Sequence, residues 1–193
     1  MVVTPHICSP INDDLNTKET DHLSTGLYNL GFIATSRSEA TYHMVSWWKD
    51  RLEKDCRIDL CNGLFVDQHW INFVPLFYPN DVLVDKYPGY NMAYWNLQER
   101  SLSKNDAGAY MVNSDHALVF YHFSGYDLHK QYAISKYQNR FSFSDRKDIT
   151  PLFDKYHQDV MSRGFDAFAA IPCKYVVNSP NKKTPFIKQL VHQ

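Results

Sequence analysis

Three polar side chains stand in a row at Asp67-Gln68-His69, between a loop glycine, Gly63, and an apolar run that begins at Trp70. A carboxylate held there can accept hydrogen bonds from sugar hydroxyls or serve as a base. Placed one to three residues into a helix, it can equally complement the helix dipole, worth about 0.3–1 kcal/mol. Gln68 and His69 add to the first reading, because three consecutive polar groups exceed what a dipole needs.

A second polar group follows a strand-like run, at His122-Phe123-Ser124-Gly125. An imidazole at the carboxyl end of a strand stands where open α/β sheets place their ligands. It can be a metal ligand, or a core histidine bonded to a backbone carbonyl. Ser124 and Gly125 would let backbone N–H groups approach a phosphate. Lys130, Lys136 and Arg140 lie downstream, and the planar fork of Arg140 suits phosphate. An ordinary solvated face accounts for the same three cations. No P-loop, GxGxxG, GxSxG or HExxH pattern occurs.

Several elements must position these groups. Leu27 to Ala34 reads as a buried strand, with Gly31 marking either a bulge or the close approach of a ligand or another backbone. Ser36-Arg37-Ser38-Glu39 reads as a capping box, opening a helix that runs to about Cys56. Met44, Val45, Trp48 and Leu52 form its apolar stripe, and the Trp47-Trp48 pair reads as core. A short helix after Gly63 carries Trp70, Phe73, Val74 and Phe77 on one face, and Pro75 and Pro79 end it. Val82 to Val84 is a short strand, Ser101 to Ser114 a polar connection, and Ala117 to Phe123 the strongest strand. Thr150-Pro151 opens a late helix with Gly164 at its C′ position. The whole reads as one α/β domain over residues 1–193, with an irregular arm at 1–25 and a loose tail at 178–193.

Composition limits the class. At 44% hydrophobic and 21% charged residues the chain is globular rather than disordered. A net charge of −1 gives no broad basic face, so nucleic acid is not an expected partner. No apolar run reaches the roughly 18 residues of a membrane span, and the first residues lack a signal-peptide pattern. Cys8, Cys56, Cys61 and Cys173 are read as reduced thiols of a cytoplasmic protein. The 29 aromatic residues, 13 of them Tyr, suit sugars, whose C–H faces stack on rings.

Taken in order, Tyr28-Asn29-Leu30-Gly31-Phe32-Ile33, Phe65-Val66-Asp67-Gln68, Tyr90-Asn91 and Phe120 to Gly125 resemble the second half of GT-A-fold glycosyltransferases. The nearest analogy is the retaining family 8 type. Uncharacterised bacterial glycosyltransferase-like proteins look similar at Gly63 to Gln68 and at Tyr90 to Asn96. The resemblance spans roughly residues 20–175 and implies a mixed sheet flanked by helices. It implies Asp67 and Gln68 at the reacting face, and Asn29, Gly31 and Asn91 around the donor sugar; His69 stands where the family often has Asp, which alters the sugar pocket. His122 would be a ligand of Mn²⁺ or Mg²⁺, and Gly125, with Ser124, would lie near the diphosphate. Arg140, Lys130 or Lys136 would replace a lysine that the family often has where Leu128 stands.

The resemblance also implies partners: a nucleotide-sugar donor and a glycan or lipid-linked acceptor. The family's Asp-x-Asp metal motif does not occur in the chain. The chain is therefore read as the carboxyl-terminal part of such an enzyme, inactive alone, binding metal weakly and associating through the surface that a missing half would cover. The competing reading is a non-catalytic sugar-binding or protein-interaction module.

Overall fold

A computed structural model describes residues 1–172. They divide into two compact units, residues 1–142 and the residues from Phe143 onward, where the sequence is read as one domain. The expected loose tail at 178–193, and Cys173, lie outside the described residues. The fold is mixed α/β with small sheets.

The first unit is built on a sheet of three strands, β1 (Val2–Pro5), β2 (Tyr28–Ala34) and β5 (Leu83–Val84), in the order β2-β1-β5. β1 runs antiparallel to β2 and parallel to β5, so the sheet is mixed. This corrects the irregular arm expected at residues 1–25. Val2, Val3 and Thr4 are β-branched and form the central strand, with Val3 and Thr4 buried. The prolines and polar residues after them had concealed so short a run. Only the stretch between β1 and α1 (Glu19–Thr25) is irregular.

Helix α2 (Glu39–Asp55) lays Met44, Trp47 and Trp48 on a core of Val3, Ile71 and Val74, joined by Leu30, Ile33 and Val84. Its N-cap is Ser38 rather than Ser36: the Ser38 hydroxyl accepts from the Thr41 N–H at 3.2 Å. Val45, expected in the stripe, is exposed, and Thr41 is buried instead.

The helix expected directly after Gly63 is not formed there. Ile58–Asp59 (β3) and Leu64–Phe65 (β4) make a small antiparallel ladder. A turn at 66–68 then leads into a 3-10 helix, His69–Phe73, and the short α3 (Val74–Phe77). Pro75 stands at the start of α3 rather than at its end, where the missing N–H costs nothing.

Ser101 to Ser114, expected as a connection, holds most of an antiparallel meander of β6 (Leu102–Lys104), β7 (Tyr110–Val112) and β8 (His116–Ala117). Asn105 turns the first corner, its Oδ1 accepting from the N–H groups of Ala107 and Ala109. The strand expected at Ala117 to Phe123 is mostly unladdered. Its backbone bonds instead to the 89–92 segment, through Val119 N–H to Gly89 O and His122 N–H to Met92 O.

In the second unit, α4 (Thr150–Ser162) and α5 (Phe165–Ala169) are separated by Gly164 in the left-handed conformation, φ +87°. Phe153 is its buried anchor, edge-on to Phe143 at 5.1 Å.

Candidate functional site

The site begins with an irregularity of β2. Val3 pairs with Ile33, yet Pro5 pairs with Tyr28, so two steps along β1 match five along β2. Residues 29–32 therefore arch away from the ladder as a bulge. The N–H groups of Leu30 and Gly31, partly withdrawn from water, need other acceptors, because polar groups left unpaired there are costly. Side chains provide them. Leu30 N–H donates to Gln68 Oε1 at 3.0 Å, and Gly31 N–H to Asn29 Oδ1 at 2.8 Å.

Around that arch the structure gathers five of the residues singled out in the sequence. Asn29 is the hub. Its Nδ2 donates to His6 Nε2 at 3.1 Å and to Gln68 Oε1 at 3.3 Å. Its Oδ1 also accepts from Asn91 Nδ2 at 3.0 Å, so both donors and both acceptor sites of the amide are used. Asn91, itself buried with φ +53°, donates further to Thr4 Oγ1, and its Oδ1 faces His122 Nδ1 at 3.2 Å. Gly31 lies against the same imidazole. A Cβ there would overlap His122 Nδ1 and Cε1 and stand 2.6 Å from Asn29 Oδ1. The glycine thus marks both a bulge and a close approach, but the approaching group is a side chain.

Two residues here, His6 and His22, had no signal in the sequence. His6 lies in the segment read as an arm, yet it is buried between Asn29, His22 (ring centroids 4.9 Å apart) and Trp95 (5.2 Å). Asn96 donates to the carbonyls of His6 and Asn91 and accepts from the Ala93 N–H, so it ties the 91–96 turn to β1. Burial, reinforced by His22, pushes the His6 pKa down to about 3, against the pull of the Leu27 and Gly26 carbonyls. Burial also lowers the pKa of His22 and His122, so all three rings are neutral near pH 7.

Gln68 is held at both ends of its amide. Besides the two bonds at Oε1, its Nε2 donates to Thr25 O at 2.9 Å. It ties the turn at 66–68 to α1 and β2, and one Nε2 hydrogen has no partner among the described residues. Asp67, one residue earlier, differs. Its carbonyl accepts from Trp48 Nε1 at 3.1 Å, while its half-buried carboxylate has no hydrogen-bond partner among the described residues. Val66, before it, has φ +41°, a sparsely populated conformation for a β-branched residue, and its N–H is held by Arg57 O. His69 Nδ1 bonds to Gly63 O at 2.8 Å, closing the turn from the other side.

The remaining expected residues are placed differently. Gly125 has φ +72° and faces the 135–137 loop, where a Cβ would overlap Ser135 Oγ and reach the Tyr137 ring at 2.6 Å. Ser124 is half-buried beside it. Arg140, expected near a phosphate, is engaged within the protein. Its fork donates to both oxygens of Asp13 at 2.8 Å and to the carbonyls of Leu15 and Thr17. That contact holds the Asp13 carboxyl down at about 2.

For a divalent metal the donor set falls short. Among the described residues no three His, Cys, Asp or Glu side chains are grouped to hold an ion, and a hard cation takes 6–8 oxygen ligands or several waters and carboxylates, not one imidazole.

Comparison with known proteins adds limited context. The chain is similar to uncharacterized protein YfnF of Bacillus subtilis (strain 168), 35% identical over 103 residues, 53% of this chain and 33% of the relative. It is also similar to uncharacterized protein YfnD of the same organism, 28% identical over 106 residues, 54% of this chain and 33% of the relative. The matched region thus spans a third of the length of each relative. No protein-family model matches the chain, and no solved structure does.

Proposed function

We propose that residues 1–142 carry the sugar-facing side of a glycosyltransferase-type site in a GT-A-like arrangement. The sugar would pass from a nucleotide-sugar donor to a glycan or lipid-linked acceptor. The observation that carries this reading is the Asp67 turn. A carboxylate without a partner sits on a turn fixed by Trp48, by three bonds of Gln68 and by the His69 ring. Backbone strain such as that at Val66 persists where the surroundings over-determine it, and such places cluster at functional sites. Asp67 would accept hydrogen bonds from sugar hydroxyls and offset positive charge developing at the anomeric carbon, an electrostatic role that needs no reorganisation. The meeting of Asn29, Gly31, Asn91 and His122 in one network supports the same side of the molecule as the site. The resemblance supplies the reaction class, and no step is routed through a metal, since His122 alone does not make its site.

The absence of a three-donor group among the described residues favours a second reading, a sugar-binding module without transfer activity. The exposed thiols of Cys8 and Cys56 fit the cytoplasmic setting of either reading.

Saturation-transfer NMR with a panel of UDP-, GDP- and dTDP-sugars tests the site. The expected result is saturation of sugar ring protons that is lost in Asp67→Asn, with stability changed by no more than about 0.5 kcal/mol. No saturation with any sugar, or saturation unchanged in the variant, would overturn the reading. Nucleotide release from the bound donor marks the transferase, and binding without release marks the module.

A further inference from the structure

The hydrogen-bond network allows one assignment of protons, and a single backbone group dictates it. The Gly31 N–H is a donor and nothing else, so the atom of Asn29 that faces it must be the carbonyl oxygen. Asn29 Nδ2 therefore faces His6 Nε2, which must be the bare nitrogen, and His6 carries its proton on Nδ1. The same Asn29 oxygen faces Asn91, so the Asn91 atom there must be Nδ2. Asn91 Oδ1 is left facing His122 Nδ1, and an oxygen that cannot donate requires that nitrogen to carry the proton. His122 Nε2 is then a lone pair. It has no partner among the described residues and is not sealed from solvent.

We propose that Asn91, oriented by Asn29, is a positioning residue that fixes His122 as the Nδ1–H tautomer, so that its Nε2 lone pair accepts a hydrogen bond from a ligand hydroxyl. The arrangement follows the general logic by which the bond made by one ring nitrogen sets the state of the other. The ligand part rests on the sugar-site reading above; the tautomer part does not. Gly31 contributes twice, by donating the N–H that starts the sequence and by leaving room for the imidazole.

Long-range ¹H–¹⁵N correlation spectra of the full chain labelled at histidine test it directly. His6 and His122 should both show a protonated Nδ1 and a bare Nε2. A protonated Nε2 at His122 would overturn the proposal without any variant. In Asn91→Leu, His122 should lose its Nδ1–H preference while His6 keeps its own, and an unchanged His122 overturns the role of Asn91. The unaltered His6 pattern reports that the variant is folded. Methyl α-glucopyranoside and methyl α-galactopyranoside then serve as probes. A shift of His122 Nε2 with Nδ1 unmoved supports the acceptor role, and no shift in a protein with the expected tautomer overturns it. If the saturation experiment also fails, the sugar-site reading falls with it, while the tautomer result stands.

Discussion

Adding one methyl group at residue 31 would force apart groups that are already hydrogen-bonded. The new Cβ would overlap the His122 ring and stand 2.6 Å from the Asn29 amide oxygen, and neither group is the loose end of a flexible chain. We expect Gly31→Ala to cost about 2–4 kcal/mol, the sum of overpacking and a broken buried bond, read from urea denaturation. Asn29→Ala should cost about as much, because it leaves Gly31 N–H, Gln68, Asn91 and His6 each short of a partner. A loss under about 1 kcal/mol in either variant would show the network to be slack. At this scale the sequence was informative about types and silent about partners. Asn29, Gly31, Gln68, Asn91 and His122 stood out by residue type and order, and they meet. Their use was not legible, because whether an amide faces a ligand or another amide depends on contacts between residues up to 87 positions apart. His6 and His22 gave no signal, since nothing local distinguishes a buried polar side chain from a solvated one.

Secondary structure was legible where periodicity runs long. The strand at Tyr28–Ala34 and the 17-residue helix α2 fall where hydrophobic spacing and a serine cap put them. Two serines competed for that cap, and only the side chain of Ser38 reaches a free N–H of the first turn. Ser38→Ala should cost about 0.5–2 kcal/mol while Ser36→Ala changes little, a contrast that thermal unfolding of the pair would measure. Short elements were not legible. The four residues of β1 are the central strand, yet their pattern is too brief to separate from a loop. The run at Ala117 to Phe123 has strand-forming residues but finds only the 89–92 segment beside it. Strand preference expresses the fit of a side chain to a neighbouring strand, and the sequence does not name that neighbour.

Across the molecule, buried neutral histidines make stability depend on pH. His6 takes a proton near 6.5 when unfolded but only at about 3 when folded. Between those values the unfolded chain binds a proton that the folded chain does not. Stability is therefore full above about pH 6.5 and falls steadily as the pH drops towards 3. His22 and His122, lowered in the same direction, add to the slope. The urea midpoint should be clearly lower at about pH 5 than at about pH 7.5, and a flat midpoint would contradict the burial of His6 as neutral imidazole. The surface carries a second large-scale feature. Phe73, Leu76 and Phe77 are 45%, 73% and 52% exposed and adjoin Trp47 through Phe77. A patch of this kind favours association. Leu76→Glu should reduce concentration-dependent self-association in sedimentation velocity and leave unfolding within about 0.5 kcal/mol of the parent.

The arch of β2 also has a kinetic consequence. The Gly31 N–H sits on an exposed residue, outside the strand ladder, where amide hydrogens ordinarily exchange with water quickly. Its bond to the Asn29 side chain makes it an exception, since it can exchange only when that amide swings away. Its exchange rate therefore reads the opening frequency of the whole His6–Asn29–Asn91–His122 assembly from one backbone hydrogen. A sugar that rests on the assembly should slow that one hydrogen while leaving the amides of the β6–β8 meander unchanged.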